Sequence, residues 1–472
     1  MTVRDDTGTA ADPEVTAEEL AAFSRTLGRL RALPTDHQTR LHAERQLQSF
    51  HRESRRRRRR EERAAALAAD AALLAATATG ARDRREDAPL ASPAGPPASA
   101  GRLRLGRRCY VCKQPYRELD AFYHMLCGAC AADNRARRAL STDLRGRRAL
   151  LTGGRVKIGF QLALMMLRDG AELVVTSRFP HDTVRRFRAA EGSETWWGRL
   201  TVAGIDLRDP RQVIGLTDRL LSEGRPLDIL VNNAAQTLRR PPESYALLAA
   251  GERAGLPAGD AGTVVHAPGF RPMPALAPAW PTAGLAPASA APPAALPLPG
   301  TVDEAGLLPD PAAANSWSAQ LGSLDPAEVL EVQLVNALAP ALLCDRLLPL
   351  LLASPHPRRY IVNVTAVEGR FTVRNKTAGH PHTNMAKAAL NMLTRTSAEK
   401  LATRGVHMCA VDTGWITDES PAPKKARLAA TGFRTPLDIV DGAARVYDPI
   451  VRGEAGAPLS GVFLKDYQEA AW

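Results

Sequence analysis

The sequence contains no uninterrupted apolar run of the roughly 18 residues that a membrane-crossing helix needs, and no apolar core behind a basic start that would mark a secretory leader. A cytoplasmic protein without membrane contact is the expectation. Cysteine is scarce: six in 472 residues, four of them in two CxxC pairs and two, Cys344 and Cys409, alone in apolar segments. That pattern fits metal ligation in a reducing compartment more than a disulfide scaffold. Aromatic residues make up 5% of the chain, and none interrupts the run Arg55 to Arg60, so this basic stretch lacks the rings that stack on unpaired bases.

What is present is a formal charge of +12, with much of the excess before residue 150. The length allows about two to three domains, or one large α/β unit with appendages. Residues 1 to about 15 are polar and acidic and are expected to be disordered. Thr16 to Leu33 and Asp36 to Ala78 are rich in Ala, Leu, Arg and Glu, so a helical, Arg-rich region is expected over 1–85. There Arg52 and Arg55 to Arg60 encircle a helix instead of lining one face, which suits a solvated helix better than an arm for nucleic acid or another acidic partner. Residues 86–103 read as a Pro/Ala linker.

Cys109-x2-Cys112 and Cys127-x2-Cys130 are the sharpest local motif. Each pair can offer two thiolates to one tetrahedral face, and four sulfurs suit a structural zinc with no open position for water. The surrounding module, 104–140, has too few apolar residues to fold unaided, so metal would supply much of its stability. A docking or nucleic-acid ribbon and a platform packed on the following domain are both open readings. His124 is placed for a packing role beside the ligands.

From residue 145 to 472 the chain alternates short β-compatible runs (ALLTGG, AELVVTSR, LTVAGIDL, LDILVNNAA, RYIVNVTA, VHMCAVDTGW, GVFLKDY) with helical stretches. This rhythm predicts an α/β fold, a doubly wound parallel sheet with ligands bound beyond the strand carboxyl ends. The segment Arg148 to Gly159, RALLTGGRVKIG, is its natural first strand and phosphate turn, since glycines let a backbone approach a pyrophosphate at a helix N-terminus. The interval 247–323, dominated by Ala, Pro, Gly and Leu, reads as an insertion without periodicity, a tolerated linker more than a lid.

These residues resemble the short-chain dehydrogenase/reductase family, with its NAD(P)-binding Rossmann fold. The resemblance rests on Thr152, Gly153, Gly154, Arg155, Ile158 and Gly159 as the cofactor turn, on Asp206 and Leu207 as an adenine contact, and on Asn232-Asn233-Ala234-Ala235 as a variant of the family's NNAG. Asn336 falls at the family's active-site asparagine, Lys387 at its cofactor-binding lysine, and Gly414 with Thr417 in the segment after the sixth strand. The second strand ends Thr176-Ser177-Arg178, and a guanidinium there suits a 2′-phosphate, so NADP(H) is expected over NAD(H). The family's serine position falls on Ala366, beside Thr365, and its tyrosine position on Thr383. A threonine hydroxyl lacks phenol-like acidity, which leaves His382, His380 or Glu368 as candidate proton donors.

Two readings follow. One is an NADP(H)-dependent oxidoreductase acting on an unknown carbonyl or alcohol, with Asn336, Thr383, Lys387 and His382 around the reacting centre. The other is an inactive NADP-binding sensor or scaffold that engages partners through the zinc module and basic helix. The resemblance implies a homodimer or tetramer built on the helices that carry Asn336 and Lys387.

Overall fold

The structure, a computed structural model, describes residues 15–92, 98–271, 302–308, 310–373 and 376–472. The expected disordered start and most of the Pro/Ala run of the insertion lie outside these. The described residues divide after Asp70 into two compact units.

In the first, helix Ala17–Arg31 opens on a capping box: Thr16 Oγ1 accepts from the Glu19 N–H at 3.2 Å, and the Glu19 carboxylate accepts from the Thr16 N–H at 2.9 Å. A second helix, Gln38–Ala75, includes the basic stretch. Arg55 to Arg60 are all exposed, and Arg57 pairs with Glu61 one turn on, a contact worth about 0.3–0.5 kcal/mol at most in water.

The second unit begins with a hairpin of β1 (Ser99–Arg108) and β2 (Pro115–Asp120), followed by helix Gly128–Arg138. The small module therefore starts at Ser99, and the end of the stretch expected as linker is strand. Alternating Leu103 and Leu105 among arginines, hidden in a Pro/Ala-rich average, are the local reason. A nine-stranded sheet follows, made of β3 (Arg148–Leu151), β4 (Glu172–Ser177), β5 (Leu200–Gly204), β6 (Ile229–Asn232), β7 (Val264–His266), β8 (Arg359–Thr365), β9 (Val406–Asp412), β10 (Phe463–Lys465) and β11 (Gln468–Ala470). The order is β11-β10-β9-β8-β6-β3-β4-β5-β7, parallel except for β11.

All seven strands expected from the apolar runs are present, and the fold is the doubly wound parallel sheet that the alternation implied. The edge strand β7 lies inside the interval expected to lack structure. Val264 and Val265 supply the β-branched pair, and Val264 to His266 align with Val202 to Gly204. Helix Ala246–Arg253 precedes it, so the insertion is folded through its first part.

The sheet is buried on both faces, as a parallel sheet must be. One core joins it to helices Lys157–Arg168 and Ile439–Glu454, the other to helices Pro210–Glu223 and Ala339–Ala353. The continuous helical stretch Pro326–Ala353 is long and apolar enough to cross a membrane by composition, but half of its most apolar stretch is buried in this protein. It passes through a π-helical turn at Leu334–Leu338, centred on Asn336.

A third core fastens the hairpin module to the sheet: Leu103, Tyr116, Leu119, Phe122 and Tyr123 pack with Ile416, Leu437 and Ile439. Charge is buried with them. Arg138 donates to Asp438 at 2.5 Å and to Asp441 at 3.1 Å, and Tyr123 donates to Asp441 at 2.6 Å. Removing the cation would leave two carboxylates in a dry interface. Arg138→Met should cost about 3–5 kcal/mol, read as a lower urea midpoint; an unchanged midpoint would mean the network carries no stability.

Candidate cofactor cleft and metal cluster

The strand β3 ends against a turn that only small residues can make. Gly153 has φ +71°, a Cβ on Gly159 would lie 2.2 Å from Gly153 O, and one on Gly154 would lie 2.4 Å from Val175 Cγ1. Thr152 Oγ1 accepts from the Asn233 and Ala234 N–H groups, both at 3.0 Å, and Asn233 Nδ2 donates to Thr152 O and Gly153 O at 3.0 Å. Thr152 and Asn233 thus stitch the turn to the loop after β6. Lys157 also has positive φ, +53°, a conformation that costs a side chain on the order of 1 kcal/mol and that a glycine would adopt freely.

Beyond this turn lies a cleft of about 460 Å³ at the carboxyl ends of the strands, where the order reverses between β3 and β6. Of the residues expected to contact a cofactor, all but Thr152, Gly154 and Gly414 line it. Their charges are not equally available. Arg155 pairs with Asp182 at 2.7 Å and donates to Ala305 O at 2.8 Å; Asp206 is held by Arg208 at 2.6 Å. Arg178 makes no ion pair among the described residues; its guanidinium lies 5.8 Å from the Phe179 ring and 5.6 Å from the Tyr245 ring.

Sequence reasoning missed part of the wall. Asp303, Ala305 and Leu307 of the insertion line the cleft, and Asp303 faces Arg240 at 3.7 Å. The segment expected as a tolerated linker is, over 302–308, part of the site. Tyr245 and Glu419 were missed as well; Glu419 is partly buried, and although burial opposes its charge, Lys157 at 3.6 Å and the Thr417 hydroxyl hold its carboxyl below the usual range.

Of the residues expected around the reacting centre, the structure brings only Lys387 to this cleft, together with Thr365 and Ala366. Lys387 Nζ donates to Val364 O at 2.9 Å, and complete burial pushes it down to about 8, against the opposing pull of Glu368. Asn336 is clamped to the loop after β6: its Oδ1 accepts from the Gln236 N–H at 2.7 Å and its Nδ2 donates to Gln236 O at 2.9 Å. Thr383 is buried with an unpartnered hydroxyl, and the His382 ring, also buried, lies 3.7 Å from Glu328 without a hydrogen bond at either nitrogen. Neither lines the cleft. His380 stacks on Trp317 at 3.8 Å and meets Asn384 at 3.1 Å. Glu368, raised by burial, lines a separate cavity with Arg370 and Phe371. None of Thr383, His382 and His380 lines the cleft that holds Lys387.

The second constellation is the sulfur cluster. The Sγ atoms of Cys109, Cys112, Cys127 and Cys130 all lie within 4.8 Å of one another, with Cys112 and Cys127 3.7 Å apart. A tetrahedral zinc with Zn–S bonds of about 2.3 Å requires S···S separations of about 3.8 Å, so the residues fit such an ion. Cys127 caps helix Gly128–Arg138 and Cys130 sits in its first turn, where the helix dipole favours thiolates. His124 is not a ligand: its Nδ1 meets Thr79 Oγ1 at 2.7 Å and its Nε2 meets Arg434 O at 3.3 Å. The core shared with Ile416 and Leu437 makes the module a platform on the sheet domain rather than a separate N-terminal ribbon. About one divalent metal per chain is expected by elemental analysis, lost together with thermal stability in Cys112→Ser; a variant that melts like the parent would remove the metal from the account.

Residues 147–248 match the family profile described as short chain dehydrogenase, and 301–437 the one described as enoyl-(acyl carrier protein) reductase. An uncharacterised protein of Acanthamoeba polyphaga mimivirus is 29% identical over 365 residues, covering 73% of this chain and 71% of that protein. A short chain dehydrogenase/reductase of Macrophomina phaseolina is 37% identical over 95 residues, covering 20% of this chain and 53% of its own. Among solved structures, a short chain dehydrogenase from Burkholderia cenocepacia in complex with NADP is 22% identical, with a TM-score of 0.44, covering 68% of this chain and 97% of that one. Over residues 147–248 and 301–437, which include the glycine turn and most strands of the parallel sheet, the chain is similar to the short-chain dehydrogenase/reductase family.

Proposed function

We propose that the cleft binds NADP(H) and that the protein is an oxidoreductase acting on a carbonyl or alcohol, with Lys387 taking over proton transfer from the missing phenol. The observation that carries the reading is the joint lining of one cleft by the glycine turn, the buried Lys387 and an Arg178 that makes no ion pair among the described residues. The turn would seat the pyrophosphate, and Arg178 the 2′-phosphate, with Phe179 and Tyr245 holding its guanidinium in place. Bound there, the nicotinamide supplies the hydride.

Lys387 is the only one of the expected site residues in the cleft with a proton to give near neutral pH. As hydride reaches the carbonyl carbon, the π electron pair moves to oxygen, the Nζ ammonium gives that oxygen a proton, and solvent restores the lysine. A zinc ion on the four cysteines would serve structure alone, since four thiolates leave no open coordination position. The sensor reading retains one specific support, the replacement of serine and tyrosine by Ala366 and Thr383, and lack of turnover in the presence of tight binding would favour it.

Titration with NADPH and NADH tests the cofactor. Arg178→Gln should weaken NADPH about ten- to hundredfold, the worth of a charge-assisted phosphate contact, and leave NADH within twofold; equal losses would refute the phosphate role. Stopped-flow oxidation of NADPH with a panel of carbonyl compounds tests the chemistry. Because the ammonium is the donor and Lys387 loses its proton above about 8, the rate should fall as pH rises through that value, and Lys387→Met should abolish turnover and the profile together. A rate unaffected by pH between about 7 and about 9 would point to another donor.

A further inference from the structure

The chain between β9 and helix Ile439–Glu454 reaches from the cofactor cleft to the metal cluster. Thr417 and Glu419 line the cleft. On its other side this segment is held by the module, where the Trp415 N–H donates to Tyr110 Oη at 2.9 Å and His124 Nε2 meets Arg434 O at 3.3 Å, and by the chain before it, where Arg84 donates to Thr435 O and Leu437 O at 2.8 and 2.5 Å.

Tyr110 stands between Cys109 and Cys112, and its own N–H donates to Met125 O at 2.8 Å, two residues before Cys127. Its place is therefore set by the knuckle that the metal closes. The partner segment starts at Gly414, with φ +81°, where a Cβ would meet Leu437 Cδ1 of the same segment at 2.6 Å and Tyr110 Oη of the module at 3.6 Å, so the chain turns tightly beside Tyr110 just before it enters the cleft. The opposite wall leans on the same support, since Ile158 of the glycine turn packs in the cluster that holds Cys109, Leu126 and Ile416.

We propose that the metal-loaded knuckle sets the affinity of the cofactor cleft, with Tyr110 as the positioning residue that fixes Trp415 to Glu419 as a wall; this rests on the NADP(H) reading. Loss of the metal frees Tyr110, loosens that wall and weakens dinucleotide binding. The module is then a control element of the cleft, by which metal supply governs how much of the protein carries cofactor.

The test uses the full chain and two readouts, amide hydrogen exchange over residues 414–420 and the Kd for NADPH. Tyr110→Phe keeps the ring and loses the acceptor. It should keep its metal, exchange faster over 414–420 and bind NADPH about three- to tenfold more weakly, the worth of one hydrogen bond. Tyr116→Phe, whose hydroxyl donates to His124 O within the module at 3.0 Å, should leave NADPH affinity unchanged. Chelation of the parent protein should reproduce and exceed the Tyr110→Phe effects, and zinc should reverse them. Unchanged exchange over 414–420 in both Tyr110→Phe and the chelated protein would overturn the proposal, as would faster exchange with an unchanged Kd. If the parent protein binds no NADPH, the affinity proposal falls with the cofactor reading, and the exchange data still decide whether the metal holds this wall.

Discussion

The close approach of two backbones at the end of β3 is the constraint from which the rest follows. Gly159 lets the first turn of helix Lys157–Arg168 pass over Gly153 O, and Asn233 bonds into the same gap. With any Cβ there the helix would have to move outward, and its free N–H groups would no longer face the space between β3 and β6. The cleft is therefore a product of sterics first and of charge second. Charge comes next: most of the cations around it are already paired with Asp182, Asp206, Asp303 or Glu419, while Arg178 makes no ion pair among the described residues.

The cysteine module belongs to the same construction. Its apolar residues are too few for a core of their own, and they reach one by sharing Ile416, Leu437 and Ile439 with the sheet domain. The buried Arg138, Asp438 and Asp441 group fixes the register of that contact, because each charge is tolerated only with its partners in place. Four cysteine sulfurs within 4.8 Å of one another lie inside the module.

The parallel sheet was legible because each strand is a short apolar run bounded by turn residues, and the cofactor turn because its glycines answer steric needs that composition exposes. The edge strand β7 and the wall at 302–308 were not, since three-residue pairings and carbonyl contacts such as Ala305 O to Arg155 leave no periodic trace. The reacting centre was the least legible part. Thr383 and His382 sit at suggestive positions in the sequence, yet which way a side chain leaves its helix is decided by packing, and here both are buried outside the lining of the cleft, the His382 ring 3.7 Å from Glu328. Asn336 shows the same limit: its position was readable, but its engagement by both backbone groups of Gln236 was not.

The central claim is that this cleft reads a 2′-phosphate. Calorimetric titration of the full chain with 2′,5′-ADP and with 5′-ADP tests it without any demand on substrate or turnover. The 2′,5′-ADP should bind about tenfold or more tightly than 5′-ADP, in keeping with one charge-assisted contact. Equal binding of the two would leave Arg178 without a ligand role, and no binding of either would mean that the cleft is not a dinucleotide site.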